Sequence, residues 1–178
     1  MPRLFTAVEI PRDIAMQLSL LRGGLHGARW IDPENFHVTL RFIGDIDDRT
    51  ADEVADALDR VNRRSFTLQI RGLDAFSSRG PHALIASIEP TASLLELQAE
   101  QERLMQRLGL KPEPRRFHPH VTLARLRGTT SSEVADWLAM RGDYRLPAFE
   151  VSRFVLYSSR SSVGGGPYLV EEAYPLAA

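Results

Sequence analysis

The apolar residues of this chain form strand-like runs and stripes at helical spacing. The same order of runs and stripes occurs twice. Apolar runs typical of strands, LFTAVEIP at 4–11 and ALIASIEP at 83–90, each precede a stripe of leucine and isoleucine at helical spacing. Each stripe is followed by a strand-like run that begins HVTL, and then by a further helical stripe. Additional strands are predicted at 66–70, 149–157 and 168–173. The pattern therefore predicts an α+β fold with mainly antiparallel sheets.

Four sequence echoes indicate an internal duplication. HVTL occurs at 37–40 and again at 120–123, and EVADAL at 53–58 returns as EVADWL at 133–138. Ser-Ser-Arg before Gly-Pro also recurs, as does the strand-like run, all displaced by about 80 residues in the same order. We expect one domain over 1–178, with repeats of approximately 1–82 and 83–178. The repeats would form two pseudo-symmetric lobes, each a sheet with helices on its outer face, around a central cleft.

Two helix starts and two loops follow from local patterns. Ser93-x-x-Glu96 and Thr130-x-x-Glu133 predict capping boxes. The segments Ser77–Pro81 and Gly164–Gly166 are predicted to be matching loops beside the cleft, where Arg79 and Arg160 are candidate contacts for a ligand.

The chemistry that HVTL suggests depends on the alternation of side chains in a strand. His37 and Thr39 lie on one face of a strand, while Val38 and Leu40 lie on the other and favour the core. The same holds for His120 and Thr122 in the second copy. If the lobes are related by a two-fold axis, both pairs line the common cleft.

Two imidazoles across a cleft form an acid–base pair. With an ordinary histidine pKa of about 6.5, one ring can be neutral and the other protonated near neutral pH. A strained phosphodiester such as a ribose 2′,3′-cyclic phosphate needs one group to activate water and another to protonate the departing oxygen. Threonine hydroxyls can donate to the phosphoryl oxygens, and no metal is required. A single His-x-Thr on a half-exposed strand is ordinarily a surface feature, so both interpretations stay open at this point.

Composition narrows the setting. The chain has 178 residues, a net charge of −1 and no cysteine, which excludes disulfides, thiolate catalysis and zinc–sulfur sites. It has no apolar run long enough for a membrane helix and no secretory signal at its start. We therefore expect a cytoplasmic protein that needs no cofactor, with a monomer as the default. The segment HPH at 118–120 suggests a metal only weakly, because it has no carboxylate or cysteine nearby.

The segments RWIDPENFHVTLRFIGDI and RRFHPHVTLARL resemble the 2H phosphoesterase superfamily, specifically its bacterial and archaeal RNA 2′,3′-cyclic phosphodiesterases, also called 2′-5′ RNA ligases. The resemblance covers nearly the whole chain. It implies a bilobal α+β fold and hydrolysis of 2′,3′-cyclic phosphate RNA ends to 2′-phosphomonoesters, with reversible 2′-5′ ligation. It also implies that His37 is the proton donor and His120 the proton acceptor. Thr39 and Thr122 would bind the phosphate.

Two arginines near the motifs are further candidates for the phosphate. An unbroken strand places Arg41 on the face of His37, whereas alternation places Arg125 opposite His120 unless the strand contains a bulge. Two alternatives remain for the function. One is a non-catalytic module that binds RNA or nucleotide phosphates. The other is a 2H enzyme for a different nucleotide phosphoester, such as ADP-ribose cyclic phosphate or 2′-5′ oligoadenylate.

Overall fold

The computed structural model describes residues 3–159 and 166–178 of the chain. Within these ranges the order of elements is β1 Arg3–Glu9, α1 Arg12–Ser19, β2 Ala28–Trp30, a 3₁₀ turn Pro33–Asn35, β3 His37–Asp45, α2 Asp48–Leu58, β4 Phe66–Leu68, β5 Ile70–Ser77, β6 Pro81–Ile88, α3 Ala92–Arg107, β7 His120–Leu126, α4 Ser131–Ala139, β8 Phe149–Val151, β9 Arg153–Ser159 and β10 Tyr168–Pro175. The α+β prediction is confirmed. Arg160 and all of the predicted loop at 164–166 except Gly166 lie outside the described residues. No helix in the described ranges is long and apolar enough to cross a bilayer.

An eight-stranded sheet forms the centre of the fold. Its strand order is β10-β9-β1-β3-β7-β6-β5, with β2 also paired to β7. Every strand pairing in it is antiparallel. The sheet is narrowest at its middle, where β3 and β7 share the single registered pair Val38–Val121. This junction divides the sheet into a first lobe, β10-β9-β1-β3, and a second lobe, β7-β6-β5 with β2.

Each lobe contains strands from both halves of the sequence. In the first lobe β9 and β10, from the C-terminal half, pair with β1 and with each other. In the second lobe β5 and β2, from the N-terminal half, pair with β6 and β7. The short strands β4 and β8 form a separate pair. The division into repeats of 1–82 and 83–178 stays a prediction, and the spatial lobes do not follow that division.

The helices pack on one face of the sheet and bury its main core. Val38 and Val121, at the junction, are fully buried in this core, together with Leu58 of α2 and Leu94 of α3. On α4, Trp137 contacts Trp30 of β2, with ring centroids 6.0 Å apart. Burial of such apolar side chains supplies most of the driving force for folding. The opposite side of the sheet, here called the open face, carries the alternate residues of each strand.

The predicted helix signals are partly confirmed. Thr130 and Glu133 form the expected capping box at the start of α4. The box at Ser93 and Glu96 is wrong, because α3 begins two residues earlier and Thr91 is its N-cap, accepting from the backbone N–H of Leu94 at 3.3 Å. The first leucine stripe also extends beyond the end of its helix. Helix α1 ends at Ser19, before the glycines at 23 and 24 adopt positive φ angles.

Candidate active site

The two HVTL segments begin strands β3 and β7 and have the same burial pattern. Val38 and Val121 are fully buried, and the leucines that end each tetrapeptide are 3% and 1% exposed. The histidines and threonines between them are half-buried on the open face. The predicted separation of faces is therefore confirmed. It places His37, Thr39, His120 and Thr122 on one side of the sheet.

A β-bulge follows the threonine in both strands. Opposite β1, Thr6 and Ala7 pair with Arg41 and Thr39, so Leu40 is the extra residue. Opposite β6, Leu84 and Ile85 pair with Ala124 and Thr122, so Leu123 is the extra residue. An extra residue shifts the alternation of side chains by one position beyond the bulge. The faces of Arg41 and Phe42 in β3, and of Ala124 and Arg125 in β7, are therefore reversed relative to an unbroken strand.

The expectation that Arg41 lies on the face of His37 is wrong, because the bulge at Leu40 turns Arg41 into the protein. Its side chain is 6% exposed and pairs with Glu102 of α3. The guanidinium also donates to the backbone oxygens of Phe42 and, at 2.6 Å, Lys111. Burial alone would raise the pKa of Glu102, but hydrogen bonds from Arg41, Glu113 and Gln106 outweigh burial and lower it. Arg41 therefore fixes β3 to α3 and does not face the site.

Arg125 lies on the open face beside the histidines, the location that was expected for Arg41. The bulge at Leu123 places Arg125 on the open face, exposed, beyond Thr122. Its charge lowers the pKa of both His37 and His120, so it is near both rings. In the first strand the equivalent position is Phe42, which is 60% exposed. One motif is thus followed on the open face by a cation and the other by an aromatic ring.

The register across the junction brings the motifs together. Because Val38 pairs with Val121 in antiparallel orientation, the next positions along the strands set His37 opposite Thr122 and Thr39 opposite His120. Side chains opposed in this way have Cβ atoms about 5 Å apart, and diagonal neighbours are about 7–8 Å apart. The two histidines are such a diagonal pair. A group the size of a phosphate therefore fits between two imidazoles and two hydroxyls.

Both imidazoles are oriented by the same hydrogen bond. The Nδ1 atom of His37 lies 2.9 Å from the backbone oxygen of Asn35, and that of His120 lies 2.6 Å from the backbone oxygen of His118. A carbonyl oxygen only accepts, so each Nδ1 carries the proton and donates it to the carbonyl. The Nε2 atoms are then left to exchange protons. In the first motif, the Thr39 hydroxyl lies 3.0 Å from Nε2 of His37.

Aromatic rings surround His37. The ring centroids of Phe5, Tyr168 and Tyr157 lie 5.1, 5.0 and 5.9 Å from its own. These rings belong to a small apolar cluster on the open face of the first lobe. Burial lowers the pKa of His37 to about 4; the hydrogen bond to Asn35 opposes this effect, and the charges of His120 and Arg125 add to it. His37 is therefore neutral at pH 7 in the ligand-free protein.

His120 has more polar surroundings. Phe76 meets its ring edge-on at 4.8 Å, and the ring of His118 is 6.2 Å away. Its pKa is also lowered, chiefly by burial, with the hydrogen bond to His118 opposing and the charges of His118 and Arg125 adding. For His37 the pKa falls as far as about 4. The two motifs thus share their geometry but not their environment.

Several residues that shape the site could not be identified from the local sequence pattern. Phe5, Tyr157 and Tyr168 lie far from HVTL in the sequence, and nothing in the local pattern assigns them to His37. Gly166 belongs to the loop predicted beside the cleft, but its contact was not predicted: a Cβ added there would lie 2.5–2.6 Å from side-chain atoms of Asn35, whose backbone carbonyl holds His37. The signal available in the sequence was the run GGGPY itself.

Two other features bear on where the active site lies. In the part of the chain that the structure describes, no group of three or more His, Cys, Asp and Glu side chains is arranged to hold a metal. A surface pocket of about 690 Å³ lies beside α1 and is lined by Ile10, Arg12, Ala15, Met16, Asp32, Pro33 and Glu34. It includes no residue of either motif and no convergent acid–base pair. The candidate active site is therefore the two-histidine arrangement on the open face, because of its acid–base chemistry.

Comparisons with known proteins show the family and the fold. The family model for LigT like Phosphoesterase matches the chain twice, at residues 8–86 and 85–168. An RNA 2′,3′-cyclic phosphodiesterase of Aeropyrum pernix is 35% identical over 132 residues, which are 72% of this chain and 75% of the relative. A protein of the same name from Thermotoga maritima is 30% identical over 94% of this chain and 92% of the relative.

A solved structure has the same fold. The crystal structure of E. coli LigT complexed with 3′-AMP superposes with a TM-score of 0.80 over 100% of both chains, at 23% identity. This likeness concerns the arrangement of strands and helices alone.

Proposed function

The chain belongs to the LigT-like phosphoesterase family, and we propose that it hydrolyses the 2′,3′-cyclic phosphate at RNA ends to a 2′-phosphomonoester. The observation that carries the proposal is the register at the junction of the lobes. The Val38–Val121 pair supports it, because a continuation of that register brings two oriented imidazoles and two threonines together at spacings that suit a phosphate. The names of the relatives from Aeropyrum pernix and Thermotoga maritima describe the same activity.

In the proposed mechanism the two histidines act on opposite sides of the phosphorus. Nε2 of His120 accepts a proton from water, and the resulting nucleophile attacks the phosphorus. The bond from phosphorus to the 3′ oxygen breaks as Nε2 of His37 donates its proton to that oxygen. The product keeps the 2′-phosphate, and one proton has moved from water to His120 and another from His37 to the ribose. Transfer between the rings through solvent restores the starting state.

The phosphate itself must raise the pKa of the donor. His37, with a pKa of about 4 in the ligand-free protein, is mostly neutral at pH 7. An anionic phosphate between the rings stabilises the imidazolium form and raises its pKa. Aromatic packing then keeps water from competing for that charge. Binding of the substrate therefore produces the protonated His37 that acts as its acid.

Thr39, Thr122 and Arg125 are proposed to hold the phosphoryl oxygens. The hydroxyls lie on the face of the histidines, one in each strand. The guanidinium of Arg125 adds a fixed positive charge near both rings. Such donors stabilise the charge that develops on the phosphoryl oxygens in the transition state. Arg41 has no part in this proposal because it is buried against Glu102.

The same arrangement accounts for ligation. If the 5′-hydroxyl of a second RNA occupies the position of water, His120 accepts its proton, and the attack joins the two RNAs through a 2′-5′ linkage. The 3′ oxygen leaves with the proton of His37 as before. The reverse reaction returns the cyclic phosphate and the 5′-hydroxyl. Hydrolysis and ligation thus differ only in which hydroxyl attacks.

The proposal extends to the setting of the enzyme. We propose a cytoplasmic monomer that needs no metal or other cofactor. The absence of cysteine from the sequence is compatible with a reducing compartment, where disulfides are rare. Light scattering of the purified protein tests the monomer.

A product assay tests the hydrolysis. Purified protein is incubated with a 2′,3′-cyclic nucleotide in EDTA, and the phosphomonoester is identified by ³¹P NMR. The proposal predicts a 2′-phosphate formed at the same rate with and without chelator. Exclusive formation of the 3′-phosphate would reverse the assigned leaving group. Binding without turnover would favour a phosphate-binding module instead.

A further inference from the structure

A second arginine lies beside Arg125 on the open face. Strand β2 pairs with the C-terminal part of β7, with Arg29 opposite Arg125 and Trp30 opposite Ala124. Trp30 points toward the helix layer, where it contacts Trp137. Since neighbouring side chains in a strand alternate between faces, Arg29 lies on the open face with Arg125.

The two arginines concentrate positive charge at one place. Residues directly opposite each other in an antiparallel pair have Cβ atoms about 5 Å apart. Both side chains are exposed, in a chain whose net charge is −1. The planar guanidinium matches the oxygens of phosphate better than any other side chain does. Two guanidinium groups at this separation can share one phosphate.

The arginine pair is close to the reacting phosphate but separate from it. Because Leu123 is the extra residue of the bulge, Thr122 and Arg125 are neighbours on the open face, about 7 Å apart along the strand. Strands β2 and β3 both pair with the edge of β7 that faces away from β6. Arg29 therefore lies on the same side of β7 as His37. An RNA strand that extends from the two-histidine site along β7 would pass between the two arginines.

We propose that Arg29 and Arg125 form a second phosphate subsite, which binds the backbone phosphate of the nucleotide that precedes the cyclic end. This inference rests on the proposed function and adds a second binding contact, which favours an RNA strand end over a mononucleotide. Arg125 serves both phosphates from its position between them. Arg29 serves only the second.

The test compares one substrate that has the second phosphate with one that lacks it. Wild type and Arg29→Gln are assayed with a 2′,3′-cyclic mononucleotide and with a short oligoribonucleotide that ends in a 2′,3′-cyclic phosphate. In the variant, the ratio of kcat/KM for the oligonucleotide to kcat/KM for the mononucleotide falls about tenfold, mainly through KM, as expected for one lost charged contact. The slope of log KM for the oligonucleotide against log salt concentration falls by about 0.7.

The matched control is Arg49→Gln, which removes the same charge from α2. The Arg49 side chain is 89% exposed, and its helix lies on the other side of the sheet. This variant is expected to keep the wild-type ratio and the wild-type salt slope. A general effect of net charge would instead change both variants alike and would contradict the subsite.

The remaining outcomes separate the two proposals. If wild type cleaves both substrates and Arg29→Gln leaves the ratio and salt slope unchanged, the subsite is wrong while the hydrolytic function stands. If wild type cleaves neither substrate, the proposed function itself fails, and the inference that depends on it fails too.

Discussion

Strands β3 and β7 carry the same tetrapeptide, the same bulge and the same hydrogen bond from imidazole to backbone, but their histidines lie in different surroundings. His37 is packed among Phe5, Tyr157 and Tyr168, whereas His120 is next to Phe76 and a second histidine. The comparison shows which part of the site each level of structure determines. The repeated sequence fixes the position and tautomer of each ring. The neighbours, which are not repeated, set its pKa.

The strands also differ just beyond the bulge. On the buried side, Arg41 in β3 corresponds to Ala124 in β7, and on the open face Phe42 corresponds to Arg125. The first motif is therefore held to α3 by an ion pair, while the second is held by apolar packing and presents its arginine to the site. The arginine that follows the motif is thus buried in β3 and lies on the open face in β7.

Removing either imidazole should have the largest effect. We expect His37→Ala and His120→Ala each to lower kcat by roughly 10²–10⁴, the usual contribution of a positioned acid or base. The double variant should lose more than either single variant, because the ring that remains in each single variant still transfers its proton. Single-turnover kinetics, with circular dichroism to verify folding, measure this. Near-wild-type turnover in either variant would show that its ring takes no part in the reaction.

The exchanged arginines should separate stability from activity. Arg41→Ala leaves the carboxylate of Glu102 without its partner, so unfolding in urea should become easier by about 3–5 kcal/mol. Arg125→Ala removes an exposed side chain, so its stability should change by less than about 0.5 kcal/mol. Its kcat/KM, however, should fall about 10–100-fold with the loss of a charged contact. The opposite assignment of the two effects would mean that the bulges are placed wrongly.

The pKa of His37 should appear as acid sensitivity of the fold. A histidine with an ordinary pKa of 6.5 in the unfolded chain and about 4 in the folded one binds more protons when unfolded. Its stabilising contribution is thus complete above pH 6.5 and is lost as the pH falls toward 4. By pH 4 the loss is about 3 kcal/mol.

Urea unfolding between pH 7 and pH 4 measures this loss. In His37→Gln the loss of stability should be smaller than in wild type by that amount. His82→Gln, at an exposed histidine, should behave as wild type. Identical acid sensitivity in all three proteins would show that the aromatic rings do not lower the pKa of His37.

Gly166 should give the smallest effect, limited to the first motif. Gly166→Ala introduces a Cβ that collides with Asn35 and also strains a φ of +97°. Gly72→Ala is the matched control, because its φ is +94° and nothing lies within 4 Å of the added Cβ. Both should lose about 1–2 kcal/mol of stability, but only Gly166→Ala should also lower kcat, because the Asn35 side chain must move and the backbone carbonyl of the same residue orients His37. Equal activity in the two variants would remove Gly166 from the support of the site.

The sequence predicted the parts of the site that depend on local pattern. Alternation alone placed Val38 and Val121 in the core, and His37, Thr39, His120 and Thr122 on the other face. The two bulges could not be predicted, because they arise from pairing with β1 and β6, which are distant in the sequence. For that reason Arg41 was assigned to the wrong face. The rings around His37 come from β1, β9 and β10 and are equally non-local.

The helix signals illustrate the same limit at smaller scale. Thr130 and Glu133 form the predicted box, because α4 begins at Ser131, directly after Thr130. At α3, Ser93 and Glu96 have the same spacing, but Thr91 lies closer to the true start of the helix and caps it. A capping pattern indicates that a helix begins nearby, and the packing of the helix determines which residue is its N-cap.

The pH dependence of turnover tests the two-imidazole mechanism most directly. For wild type, kcat/KM should be bell-shaped, falling at low pH as His120 gains a proton and at high pH as His37 loses its proton. The high-pH limb of kcat should fall at a higher pH than that of kcat/KM, because bound phosphate raises the pKa of His37. The residual activity of His37→Ala should lack the high-pH limb, and that of His120→Ala the low-pH limb. A flat profile from about pH 5 to about pH 9 would contradict proton transfer by these histidines.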